Sequence, residues 1–150
     1  MQTLEKTTHW AGILALLYQN TILKILMVRN HDGTWGIPGG RANADESPEM
    51  TAVRETNEET KLLLLPKNLI KSQEFDFTKM PTFVFYTFIK EYKGRQIKDD
   101  DDTAEARLFT ILEARRLDLK NRDKIIIEQL SSIASPGTIE KMYTEFLIAA

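Results

Sequence analysis

Residues 54 to 60 read RETNEET and set Glu55, Glu58 and Glu59 directly after Arg54. Carboxylates spaced i, i+3 and i+4 share one face of a helix. At roughly 100° per residue, with Glu55 at zero, Glu59 lies near 40° and Glu58 near 300°. The three occupy an arc of about 100°, Arg54 flanks it, and Val53, Thr56 and Thr60 point the other way. Like charges at these spacings each cost about 0.2–0.5 kcal/mol. A solvated helix face would offset that cost with interspersed lysines, yet residues 46–60 contain no lysine. Two readings stand side by side: a glutamate-rich solvated face, and an oxygen-only site for a hard divalent cation such as Mg²⁺.

Composition narrows what else the chain can do. It has no cysteine, which excludes disulfides, thiolate zinc sites and cysteine nucleophiles. With only His9 and His31, a histidine-rich transition-metal site is disfavoured as well. A formal net charge of -2 supplies no basic field for duplex nucleic acid. The 150 residues, 42% hydrophobic and 28% charged, fit a single domain, 1–150, with a real core. The opening MQTLEKTTHW has no basic leader, and the apolar run Ala11–Tyr18 is too short to span a bilayer. A cytoplasmic protein without membrane contact is the expectation.

Several elements must position the glutamates. Ser47-Pro48-Glu49 reads as a helix start, with a capping hydroxyl, proline in the first turn and an acid beside the positive helix end. That helix is predicted over Pro48–Thr60. Before it, AGILALLY (Ala11–Tyr18) and ILKILMVR (Ile22–Arg29) read as a strand hairpin, and WGIPGG (Trp35–Gly40) as irregular backbone. After it, Asn68–Phe77, Thr82–Tyr92 and Glu105–Ile111 are strand-like, with a polar loop at Gly94–Thr103. Arg122–Leu130 reads as a helix, and Ile139, Met142, Tyr143, Phe146 and Leu147 mark an amphipathic one at the end. This mixture predicts an α/β or α+β domain.

Gly40, Glu46, Arg54, Glu55, Glu58, Glu59 and Leu62 fall in the pattern G-x5-E-x7-R-E-T-x-E-E-x-K-L. It resembles the box of the Nudix (MutT-like) hydrolases, G-x5-E-x7-R-E-U-x-E-E-x-G-U, and WGIPGG resembles the usual lead-in. The box covers about residues 40–62, and so many restricted positions coincide by chance far more rarely than a lone G-x-G-x-x-G. One position departs: Lys61 stands where the family has a glycine that caps the helix in the left-handed region. A non-glycine residue there costs about 1 kcal/mol, so either the helix runs on or Lys61 carries the strain.

The resemblance implies an α/β/α sandwich with a mixed β-sheet between helices. It also implies a metal-dependent hydrolase that cleaves a phosphoanhydride in a nucleoside diphosphate linked to X, by in-line attack of a metal-bound water. Its metal, Mg²⁺ or Mn²⁺, would be held by Glu55, Glu58, Glu59 and the Gly39 carbonyl. Arg54 and Glu46 would pair with each other or with the box glutamates. The base would be Glu58 or an acid outside the box, for which Glu105 is the leading candidate. Arg29, Arg41 and Gly40 are candidate substrate contacts. Trp35 and Phe83, Phe85, Tyr86 and Phe88 could stack a base, although strand aromatics are more often core. The run Asp99–Asp102 reads as a solvated loop rather than a metal site.

The identity of X stays open. ADP-ribose-cleaving members commonly carry a proline where this chain has Phe77, four residues before Pro81. The tyrosine typical of dinucleoside polyphosphate hydrolases is absent from Thr78–Met80. A small nucleotide substrate acted on by a monomer or homodimer is the expectation. The alternative is a catalytically weak or inactive nucleotide-binding or sensor module of the same fold.

Overall fold

Apolar residues on both sides of the alternation give the two predicted hairpin strands, β1 (Trp10–Gln19) and β2 (Ile22–Asn30). They pair antiparallel, with Leu16 opposite Ile25 and Gln19 opposite Ile22. Asn20 and Thr21 connect them with φ of 53° and 62°, the double positive φ whose twist suits a two-residue hairpin. The computed structural model describes residues 8–77, 80–93, 95–96 and 103–149.

The chain continues through β3 (Trp35–Gly36), β4 (Gly39–Arg41) and α1 (Pro48–Thr60), then a 3-10 turn at Pro66–Asn68. Next come β5 (Lys71–Phe77), β6 (Met80–Phe88), β7 (Arg95–Gln96) and β8 (Thr103–Thr110). The helices α2 (Ile111–Arg115), α3 (Asn121–Ile133) and α4 (Pro136–Ala149) follow. The sheet runs β5-β6-β1-β2-β8-β7, with β3 on β2 and β4 on β1. Only β1 and β6 pair in parallel among these strands; the remaining pairs are antiparallel.

Because strand side chains alternate, each central strand feeds two cores. Leu14, Leu16, Ile25, Met27, Val84, Tyr86 and Phe109 are buried on one face with Ile126, Ile127 and Leu130 of α3 and Ile139 and Met142 of α4. Ala11, Ile13, Ala15, Leu26, Val28, Phe85 and Ala106 are buried on the other with Ala52 and Val53 of α1. The expected layers are therefore present: a mixed sheet between helices. The alanines under α1 let that helix lie close to the sheet, which fixes its rotation.

Several boundaries differ from expectation. The strand predicted from Asn68 begins at Lys71, because Pro66 favours a tight turn before it. The strand predicted to Tyr92 ends at Phe88, and Tyr92 turns instead to donate its hydroxyl to the Thr60 carbonyl at 2.7 Å. The short α2 has no counterpart among the predicted elements; a Thr110–Glu113 capping box nucleates it. The loop predicted at Gly94–Thr103 contains β7, and Asp99–Asp102 lies outside the described residues. Among the described residues, no helix is long and apolar enough to cross a membrane.

Candidate active site

The start of α1 is built as its sequence dictates. The Ser47 hydroxyl accepts from the Met50 amide at 3.2 Å, and Pro48 occupies the first turn. Thr51, Ala52, Val53, Thr56 and Thr60 are buried against the sheet, so Arg54, Glu55, Glu58 and Glu59 line the remaining faces. At the other end Lys61 sits at φ 63°, ψ 9°, and its amide donates to the Asn57 carbonyl at 2.8 Å. The helix does not run on; lysine takes the left-handed cap. The Thr60 hydroxyl accepts from the Leu62 amide at 3.1 Å, and Tyr92 satisfies the Thr60 carbonyl, which together hold the cap in place.

Arg54 organises the glutamates. Its Nε donates to Glu46 Oε2 at 2.8 Å and its Nη2 to Glu46 Oε1 at 2.9 Å, a bidentate pair. Its Nη1 donates to Glu55 Oε1 at 2.9 Å and more loosely to Glu58 at 3.4 Å. Glu46 also accepts from the Thr51 hydroxyl at 2.7 Å and the Asn43 amide at 3.0 Å. The buried His9 ring contacts Thr51 from behind at 3.0 Å. Hydrogen bonding from Arg54 holds the Glu46 carboxyl down at about 2, while burial pushes that of Glu55 up against the opposing pull of Arg54.

Strand β4 brings backbone to the carboxylates. The Gly39 amide donates to Glu59 Oε1 at 2.7 Å. A Cβ on Gly40 would lie 2.4 Å from the Glu55 carboxyl carbon, so only glycine leaves that carboxylate its place. The Arg41 carbonyl accepts from Arg54 Nη2 at 3.0 Å. Among the described residues no three acidic or histidine side chains form a ready-made cation cage. Glu55 turns to Arg54, Glu59 to the Gly39 amide, and Glu58 stands in solvent with 56% of its side chain exposed. The donor set still suits a hard cation: three carboxylates on one wall, and a glycine backbone that approaches them where a Cβ would intrude.

Glu105 and Arg29 are not brought to this group. They sit opposite each other in the β2–β8 register, on the α3 side of the sheet with Met27 and Phe109. Their side chains pair at 3.3 Å, and Glu105 also faces Arg107 at 3.5 Å. The alternation that put Ala106 under α1 turns Glu105 to the opposite face, a parity that motif spacing does not reveal. Trp35 is buried edge-on to Phe109, and Phe85, Tyr86 and Phe88 are core. None of these four is available to stack a base.

Sequence reasoning missed a groove of about 560 Å³ on the other side of β4, lined by Trp10, Arg41, Phe77, Met80, Asn121 and Arg122 among others. The Arg122 guanidinium lies over the Trp10 ring, 4.0 Å from its centroid. Arg41 belongs to both sides: its side chain lines the groove and its carbonyl holds Arg54. The groove joins residues from β1, β4, β5, β6 and α3, so no local motif announces it.

The NUDIX domain family model matches residues 8–130. The fold is similar to that of a MutT/nudix family protein from Listeria innocua, with TM-score 0.64 and 22% identity, covering 96% of this chain and 99% of that one. A MutT/nudix family protein from Enterococcus faecalis is similar at TM-score 0.61 and 25% identity, over 73% of this chain and 46% of that one. A stretch of 30 residues is 60% identical to "Putative 8-oxo-dGTP diphosphatase 3" of Mycobacterium tuberculosis, and spans 20% of this chain and 14% of that relative's length. With the family match over most of its residues added to the box and the fold, the chain belongs to the Nudix family.

Proposed function

We propose that the chain is a divalent-cation-dependent hydrolase that cleaves a phosphoanhydride in a nucleoside diphosphate linked to X. The observation that carries this reading is the assembly of Glu55, Glu58 and Glu59 against the glycine strand β4, held by the Arg54–Glu46 pair at 2.8 Å. Glu55, Glu58, Glu59 and the Gly39 carbonyl would hold Mg²⁺ or Mn²⁺. When bound, the ion would neutralise pyrophosphate charge and acidify a water for attack on phosphorus.

The chain's own groups have separable roles. Arg54, held by Glu46, orients Glu55 and Glu58 and offsets the repulsion between them. Glu58, exposed and only loosely tied to Arg54 at 3.4 Å, is the carboxylate free to take a proton from the attacking water. On this reading Glu105 is not the base, since it faces the other side of the sheet in ion pairs with Arg29 and Arg107. The groove behind β4 would hold the nucleoside end. Phe77 and Met80 offer it apolar walls, and the Asn121 amide offers one donor and one acceptor edge to a base.

A nucleoside triphosphate is the substrate class this arrangement favours. The groove and the carboxylates share only the short strand β4, which suits a base at one end of a compact polyphosphate. The relative named for 8-oxo-dGTP diphosphatase activity supports the same class, over its short matched stretch. An inactive sensor module would have no use for the complete set Glu55, Glu58 and Glu59 in this clamp. The test is a panel of nucleoside triphosphates, ADP-ribose, sugar nucleotides and dinucleoside polyphosphates assayed with Mg²⁺, with Glu58→Gln and Glu59→Gln alongside. Rates should fall at least ~100-fold in the Glu59 variant, as for loss of an ion ligand or its support. Inactivity of the wild type across the panel, or unchanged rates in both variants, overturns the reading.

A further inference from the structure

Asp123 lies in the first turn of α3 and is 1% exposed, the one acidic side chain so deeply buried among the described residues. An ionised carboxylate withdrawn from water costs several kcal/mol unless its oxygens are used. Besides sitting at the positive end of its own helix, it reaches a distant segment. Oδ1 accepts from the Ile37 amide at 3.1 Å, 86 residues away in sequence. Oδ2 has no hydrogen-bond partner and lies 3.6 Å from Nη2 of Arg122. The carboxylate occupies the place a Cβ on Gly36 would need, at 2.8–2.9 Å from that position.

Two routes lead from this carboxylate to Gly39. The first is the backbone: Gly36 and Ile37 are clamped, and Pro38 joins them stiffly to Gly39. The second is a stack of side chains. Asp123 faces Arg122, Arg122 covers Trp10 at 4.0 Å, and the Trp10 ring lies so close to Gly39 that a Cβ there would be 2.4 Å from it. Both routes end at the residue whose amide binds Glu59 at 2.7 Å. The groove floor and the glycine strand are thus tied to one buried group.

We propose that Asp123 is a positioning residue that fixes Gly39 for the carboxylate site and Arg122 for the groove, so that both halves hold one geometry. This rests on the reading of the site as a nucleotide hydrolase's. Asp123→Asn keeps the shape and one acceptor for the Ile37 amide but removes the charge facing Arg122. Asp123→Leu removes both. Mn²⁺ binding to the protein alone, followed by the electron paramagnetic resonance of the free ion, reports the first half. Calorimetric binding of a nucleoside monophosphate without metal reports the second, and thermal melting reports the fold.

In Asp123→Asn, nucleotide binding should weaken about fivefold while Mn²⁺ affinity changes less than about twofold. In Asp123→Leu, Mn²⁺ affinity should also fall about tenfold. Variants that bind Mn²⁺ and nucleotide as the wild type does, and only melt earlier, overturn the proposal in favour of a purely structural acid. Should the leucine variant fail to fold, unchanged nucleotide binding by the asparagine variant overturns it alone. A wild type that binds neither probe sinks the hydrolase reading itself, and this proposal with it.

Discussion

At the scale of single residues, the site depends on one guanidinium, that of Arg54, shared among the three acids Glu46, Glu55 and Glu58. Arg54 spends two donors on Glu46 and one on Glu55, and its Nη2 also donates to the Arg41 carbonyl, which fixes the plane of the guanidinium. The consequence for Glu46 is measurable. Its carboxyl is held at about 2 rather than the ordinary 4.5, chiefly by the Arg54 hydrogen bonds. A carboxyl whose proton affinity is lowered by folding stabilises the protein fully above its unfolded value. That contribution is lost as pH falls from 4.5 towards about 2. Glu46→Gln should therefore cost about 1.5–3 kcal/mol at neutral pH, the range for hydrogen bonds to a charged group. The gap between wild type and variant should narrow as pH drops through that window. Urea melts at neutral pH and at several acid pH values would check it; a gap independent of pH would mean that Arg54 is not the cause.

At the scale of elements, α1 was legible and its neighbours were less so. Its start, rotation and sheet-facing residues follow from Ser47-Pro48, from 3.6-residue periodicity and from Val53, Thr56 and Thr60. Lys61 was the open position. The structure puts it at φ 63°, and no local rule anticipates that Tyr92, from beyond the end of β6, would brace the cap at 2.7 Å. Strain at a left-handed lysine is removable: Lys61→Gly should stabilise by about 0.5–1 kcal/mol. A shift of the urea midpoint upward is the expected result. A downward shift would mean that the lysine charge at the negative helix end outweighs the strain. The groove residues Trp10, Asn121 and Arg122 carried no such signal. Arg122 and Asp123 look in sequence like ordinary charges at a helix start.

At the scale of the whole molecule, the sheet is a partition. Residues alternate between the α1 core and the α3–α4 core along each central strand, and a single step in register changes which side a chemical group serves. Glu105 shares its strand with Ala106, which packs under α1, yet its own carboxylate goes to Arg29 and Arg107 on the other side. On the proposed hydrolase reading, Glu105→Gln should therefore change the rate less than about threefold, where Glu59→Gln should reduce it strongly. Steady-state rates of the two variants at saturating Mg²⁺ would decide it, and a loss in Glu105→Gln equal to that in Glu59→Gln would place the acid back among the reacting groups.

The sequence by itself determined the family resemblance and the helix carrying Glu55, Glu58 and Glu59, while the structure chose Glu46 as the bidentate partner of Arg54. The first two are local facts: spacing along one helix sets its faces, and a glycine turn sets a close backbone approach. Only the tertiary structure decided that Glu105 and Arg29 face away, that Trp35 is core, and that Trp10, Asn121 and Arg122 form a groove behind Gly39. It also decided that a buried Asp123 reaches Ile37. Each of these depends on strand parity or on contacts between segments far apart in the chain, and neither is written in the spacing of neighbouring residues.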